Sequence, residues 1–118
     1  MLINNKNKCV PFVGPSLEKI YEVLQARAEG INMSVAYLEL PPHASTVKHY
    51  HPNMTEIYYV IEGSAKLLLK DEIKEIFKND IVLIEKNSIH QLSNHSNQVL
   101  HLLTISSPAW APDSEVAV

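Results

Sequence analysis

The chain holds six histidines, and three of them fall into a pattern with chemical meaning. His49 and His51 form an H-x-H pair, and on a strand residues i and i+2 point to the same face. Glu56 comes after four intervening residues and Gly63 after six more, closing a strand into a turn. Downstream, three residues separate His90 from Asn94. If an antiparallel barrel brings these segments together, three imidazoles and one carboxylate aim into one cavity. Neutral imidazole nitrogens with one carboxylate oxygen suit borderline divalent metals: Fe, Ni, Zn, Mn, Co or Cu. A metal held by such a set, with coordination positions left open, acts as a Lewis acid, chelates a substrate through two oxygens, or binds dioxygen. The other three histidines read differently. His43 follows Pro41-Pro42 in a turn and His95 lies in the polar loop 94–97, so both are expected to be solvated. His101 sits in a run that is apolar on both faces and fits either the cavity or the outer surface.

The elements that would position this set are legible as short strand-like runs. Met33, Val35 and Tyr37 alternate until Pro41-Pro42 stops the run. Residues 57–61 are β-branched and aromatic and end at Glu62-Gly63; 65–69 turn at Asp71-Glu72; 73–77 turn at Asn79-Asp80; 81–84 turn at Asn87-Ser88; and 99–105 end before Pro108. Strands at such short intervals make an all-β antiparallel sandwich or barrel. On the strand of Glu56, parity turns Tyr58 inward, where it can donate a hydrogen bond to a metal-bound ligand or simply support the site. The same parity turns Tyr50, Ile57, Tyr59 and Ile61 outward, an apolar set that a partner subunit could cover. Residues 16–28 stay ambiguous: Leu17, Ile20, Tyr21, Leu24 and Ala28 have helical spacing with Ser16 as N-cap, yet 21–24 equally make an edge strand. The chain divides into an arm and lead-in element (1–30), a barrel (31–110) and a tail (111–118) that either covers the barrel or moves freely. Trp110 is expected to lie against the barrel.

Composition removes several function classes. A length of 118 residues fits one domain, and 46% hydrophobic residues supply a core. Ten Lys+Arg against thirteen Asp+Glu give a net charge of −3, which argues against a nucleic-acid face. The single cysteine, Cys9, forms no internal disulfide or thiolate cluster, and nothing points to a catalytic thiol. The apolar runs are far too short to span a bilayer, and the opening residues lack the marks of a secretory signal. A soluble, cytoplasmic protein with no membrane or nucleic-acid partner is the expectation.

The motifs resemble those of a known family. HYHPNMTEIYYVIEG is similar to the first cupin motif, an H-x-H, three or four residues, E, six residues, G. NDIVLIEKNSIHQLSN matches the spacing of the second, ending in its H-x-x-x-N, and the 15 residues between the motifs suit a small microbial member. The resemblance covers about residues 32–110. It implies the jelly-roll barrel called a double-stranded β-helix, with His49, His51, Glu56 and His90 as ligands of one divalent transition metal. It departs at three places: Asn79 and Asn87 stand where the family has glycine, and Glu85 where it has proline. Asparagine is the next best residue for a left-handed turn, which also accounts for only three glycines in the chain; Glu85 could reshape the cavity rim.

Fold does not fix function. The resemblance implies a metalloprotein acting on a small polar organic molecule, of dioxygenase or isomerase type, with Glu56 or a metal-bound water as the nearest base and Tyr58 as a second catalytic candidate. The alternative is a non-catalytic binding or sensor module. Small cupins of this kind pair as homodimers, often exchanging an N-terminal strand, for which residues 1–13 are the candidate.

Overall fold

The protein is described by a computed structural model over residues 1–25 and 30–118. Its strands are β1 (Phe12–Val13), β2 (Lys19–Gln25), β3 (Ser34–Leu40), β4 (His49–Tyr50), β5 (Thr55–Glu62), β6 (Ser64–Leu69), β7 (Glu72–Phe77), β8 (Ile81–Ile84), β9 (His90–Ser93), β10 (Leu100–Ser107) and β11 (Val116–Ala117). Two antiparallel sheets form a jelly roll: six strands in the order β1-β2-β3-β10-β5-β8, and five in the order β11-β4-β9-β6-β7. Among the described residues no helix is long and apolar enough to cross a membrane.

Alternation explains the layers. Along β5 the side chains of Glu56, Tyr58 and Val60 are buried while Ile57, Tyr59 and Ile61 are not. Val60, Leu40, Leu100 and Leu102 from one sheet meet Leu67 and Leu92 from the other in the core, with Ile84 and Ile76 closing it. This apolar layer fills one end of the roll. The polar set lies beyond it.

Of residues 16–28, 19–25 form strand β2, 16–18 belong to the turn before it, and 26–28 lie outside the described residues. Pairing along β3 overrides the helical spacing, and Ile20, Glu22 and Leu24 alternate onto the inner face. The flanks join the sheets as well. β1 pairs with β2 of its own chain, and β11 pairs with β4, so the tail lies over the roll. Tyr50 parts from the outward set assigned to it: it belongs to the five-stranded sheet, whereas Ile57, Tyr59 and Ile61 lie on the six-stranded one.

The turns confirm the backbone reading of the motifs. Asn79 (φ 74°) and Asn87 (φ 65°) both adopt the left-handed conformation expected of them. Gly63 (φ 91°) links β5 to β6, and a Cβ there would stand 3.0 Å from the Val99 carbonyl. Asn94 is a structural residue. Its buried amide donates to the carbonyls of Leu40, Pro41 and Gln98 at 3.1, 3.2 and 2.8 Å, tying the turn after β9 to the end of β3.

Candidate metal centre

The three motif histidines converge. His49 opens β4 and pairs in register with His90, which opens β9. His51 follows β4 directly. Their rings lie 4.3 to 5.2 Å apart, centroid to centroid, and one nitrogen from each falls within 4.8 Å of the others. Glu56 reaches the group from the opposite sheet: its Oε1 is 3.4 Å from the Nε2 of both His51 and His90. His51, Glu56 and His90 are nearly sealed from solvent, at 2%, 6% and 0% exposure.

Each ring is oriented by a backbone carbonyl. His49 Nδ1 donates to Val47 O at 2.7 Å, His51 Nδ1 to Ser114 O at 3.0 Å, and His90 Nδ1 to Ser88 O at 2.8 Å. A carbonyl can only accept, so each Nδ1 carries the hydrogen and each neutral ring turns its Nε2 lone pair to the shared centre. The consequence is a cluster of acceptors with no donor. His51 Nε2, His90 Nε2 and Glu56 Oε1 are buried without any hydrogen-bond partner, an arrangement that costs free energy unless a cation lies among them. The residues therefore fit a divalent metal, and the donor set suits the borderline ions.

The electrostatics follow the same geometry. Burial opposes charge on Glu56, but the imidazoles of His51 and His90, each 3.4 Å away, outweigh it and hold the carboxyl down at about 2. Burial also opposes charge on His51, yet the Glu56 carboxylate more than compensates and its pKa ends above the usual value. His49 goes the other way, lowered chiefly by burial. Tyr58 stands beside the group, its ring 6.1 Å from that of His90. Burial and the neighbouring Glu56 push its hydroxyl well above the ordinary tyrosine value, so it stays protonated.

Beyond the histidines opens a cavity of about 550 Å³, in the range of small-molecule sites. His49, His51, Glu56 and Tyr58 form one end of its wall, and His90 lies behind them. The sequence does not place three further contributors at the site. Trp110 lines the cavity and donates from Nε1 to Glu115 at 3.1 Å, Glu115 stands 3.8 Å from His49 Nε2, and the Ser114 carbonyl orients His51. All three come from the end of the chain, which β11 returns to the site; only that long-range pairing makes them neighbours. The remaining histidines lie elsewhere. His43 and His95 are exposed. His101 is on the outer face, 3.0 Å from the Tyr37 hydroxyl, which removes the cavity placement. Glu85 does not line the cavity, so its replacement of proline leaves the rim alone.

Comparison with known proteins agrees with this architecture. The chain is 30% identical to an uncharacterized protein of Methanocaldococcus jannaschii over 93% of its own length and 90% of the relative's. Among solved structures it superimposes on a predicted oxalate decarboxylase from Thermotoga maritima with a TM-score of 0.84, at 19% identity, covering 91% of this chain and 99% of that one. It superimposes equally well on ectoine synthase from P. lautus, with a TM-score of 0.84 at 13% identity, covering 100% of this chain and 90% of that one. These two likenesses bear on the fold alone. The family model described as the cupin domain matches residues 36–106, more than half of the chain, and the protein belongs to that family.

Proposed function

We propose that this protein is a metal-dependent enzyme acting on a small polar organic molecule, in the isomerase or dioxygenase class. His49, His51, His90 and Glu56 would hold one divalent transition metal. The observation that carries the reading is the cluster of buried acceptors: the Nε2 atoms of His51 and His90 and the Oε1 of Glu56 have no hydrogen-bond partner, and His49 stands beside them. Bound there, a metal supplies Lewis-acid activation of a chelated substrate, or a place for dioxygen. The chain's own residues supply the rest. The Tyr58 hydroxyl, kept protonated by burial, would donate a hydrogen bond to an oxygen of the substrate. Glu56 is the nearest base on the cavity wall. The apolar stretch of Leu38, Ile20 and Trp110 limits water around the substrate.

The test is metal analysis of protein purified without a histidine tag, combined with oxygen uptake across diols, thiols and keto acids. About one metal per chain is expected, and oxygen uptake or isomerised product with at least one class. His51→Ala should lose the metal while circular dichroism stays that of a folded β protein, because the apolar core stands apart from the site. Metal-free protein inert toward every class would overturn the proposal.

A further inference from the structure

Charge of one sign lines the cavity. Glu115 stands beside His49 and Glu56 lies within the histidine cluster, Glu18 and Glu22 line it farther along, and no lysine or arginine among the described residues does. Nine of the chain's ten such cations are among the described residues, and none of the nine lines a cavity this large.

Glu18 is the most telling of the four. It is 6% exposed, while its neighbour Leu17 is 70% exposed and takes the left-handed backbone conformation (φ 65°). That is the reverse of what hydrophobicity and backbone preference select: a strained turn puts leucine in water and a carboxylate inside. The Glu18 side chain folds back over Gly14, where any Cβ would overlap its carboxyl group, and Oε2 accepts from the Ser16 N–H at 3.0 Å. Glycine, strain and a local hydrogen bond together hold an acid against the cavity. Glu22 lies on the same inner face, and its row across the sheet runs Ala36, Thr104, Tyr58. Three strand spacings, about 14 Å, separate Glu22 from Tyr58, and the small side chains between them leave the floor open.

The ligand side of the site is marked independently by the unpartnered atoms of His51 and Glu56, both more than nine-tenths buried and lining the same cavity. We infer that the cavity takes small molecules with oxygen donors at the histidine end and a hydroxylated or cationic group at the other, that it rejects a carboxylate or phosphate there, and that Glu18 is a residue setting this preference. The inference deepens the proposed function and rests on it for the histidine end. A second anion brought beside these carboxylates in a poorly screened cavity is repelled strongly enough to weaken binding by about tenfold or more.

Two measurements separate the wall from the metal. Trp110 is the only tryptophan and lines the cavity, so its fluorescence in metal-free protein reports the local charge. Relative to neutral acrylamide, caesium should quench it better than iodide, and Glu18→Gln, which keeps an acceptor for Ser16, should raise iodide quenching. Iodide quenching as efficient as that of caesium overturns the inference whatever the metal does. In the second measurement, zinc-loaded protein is titrated calorimetrically with catechol, dopamine and 3,4-dihydroxyphenylacetate, which share one chelating end and differ in the charge of the other. Dopamine should bind at least as tightly as catechol, and the carboxylate about tenfold more weakly or worse. Glu18→Gln should narrow the gap between the two charged ligands and leave catechol unchanged. Equal binding of the two charged ligands, or a gap untouched by Glu18→Gln, overturns the inference. Failure of catechol itself to bind counts against the metal-chelating reading instead, and the quenching order then still decides the charge of the wall.

Discussion

At the scale of single residues, the centre is a competition between a proton and a metal for the same lone pairs. Glu56, with its carboxyl held at about 2 against an ordinary 4.5, stabilises the fold above its ordinary value and loses that contribution as pH falls toward 2. His51, raised above 6.5, contributes fully below 6.5 and loses its contribution as pH rises through its folded value. Both statements describe one shared proton. The metal-free site is therefore best satisfied between 4.5 and 6.5, and above that window the proton leaves and the acceptors face one another. A divalent cation should then matter most. The rise in melting temperature on adding zinc is expected to be large at about pH 8 and small at about pH 5, where protons displace the metal. Calorimetric melting with and without zinc across that range checks it; a larger rise on the acid side would contradict the shared-proton account.

At the scale of elements, the strands carrying Glu56 and His90 and their turns could be read directly, because alternation and turn chemistry are local signals. Asn79 and Asn87 are cases in point: knowing that asparagine tolerates the left-handed region was enough to place both turns. Gly63 is the complementary case, since at φ 91° and 3.0 Å from the Val99 carbonyl it has no such substitute. Gly63→Ala is expected to cost about 1–2 kcal/mol, whereas Asn87→Gly should stay within about 0.5 kcal/mol; urea melts of the two variants measure the contrast. The elements hidden from the sequence are those whose partners lie far along the chain. Nothing in residues 111–118 announces that Ser114 orients His51, because the contact exists only once β11 has paired with β4. Deleting residues 112–118 should weaken metal binding by about 10- to 100-fold through the lost carbonyl. The apolar core lies elsewhere, so the melting temperature of the metal-free protein should move little by comparison. Competition with a zinc chelator reads the first quantity and scanning calorimetry the second.

At the scale of the whole molecule, the two sheets share the work unequally. The five-stranded sheet supplies the histidines, the six-stranded sheet supplies Glu56 and most of the cavity, and the latter's outer face is left with an apolar surface. Leu83, Ile57 and Ile105 form one cross-strand row there and Ile81, Tyr59 and Leu103 the next. Ile81 and Leu83 are 67% and 54% exposed, on an edge strand whose backbone invites pairing. We propose that two copies bury this face against each other about a two-fold axis, the commonest way for such a surface to be covered. In the single chain the N-terminal arm lies on its own sheet. Lys6 stacks on Tyr21 and Tyr37 of its own chain, 4.4 and 4.7 Å from their ring centres, and β1 pairs with β2. An arm that keeps this docking in the pair would leave the partner untouched. Light scattering at low micromolar concentration should therefore give the mass of two chains. Deleting residues 1–13 should leave that mass unchanged, while Leu83→Lys, opposite Ile57 in the row, should halve it. The mass of a single chain for the intact protein would defeat the proposal, and a dimer lost on removing the arm would restore strand exchange.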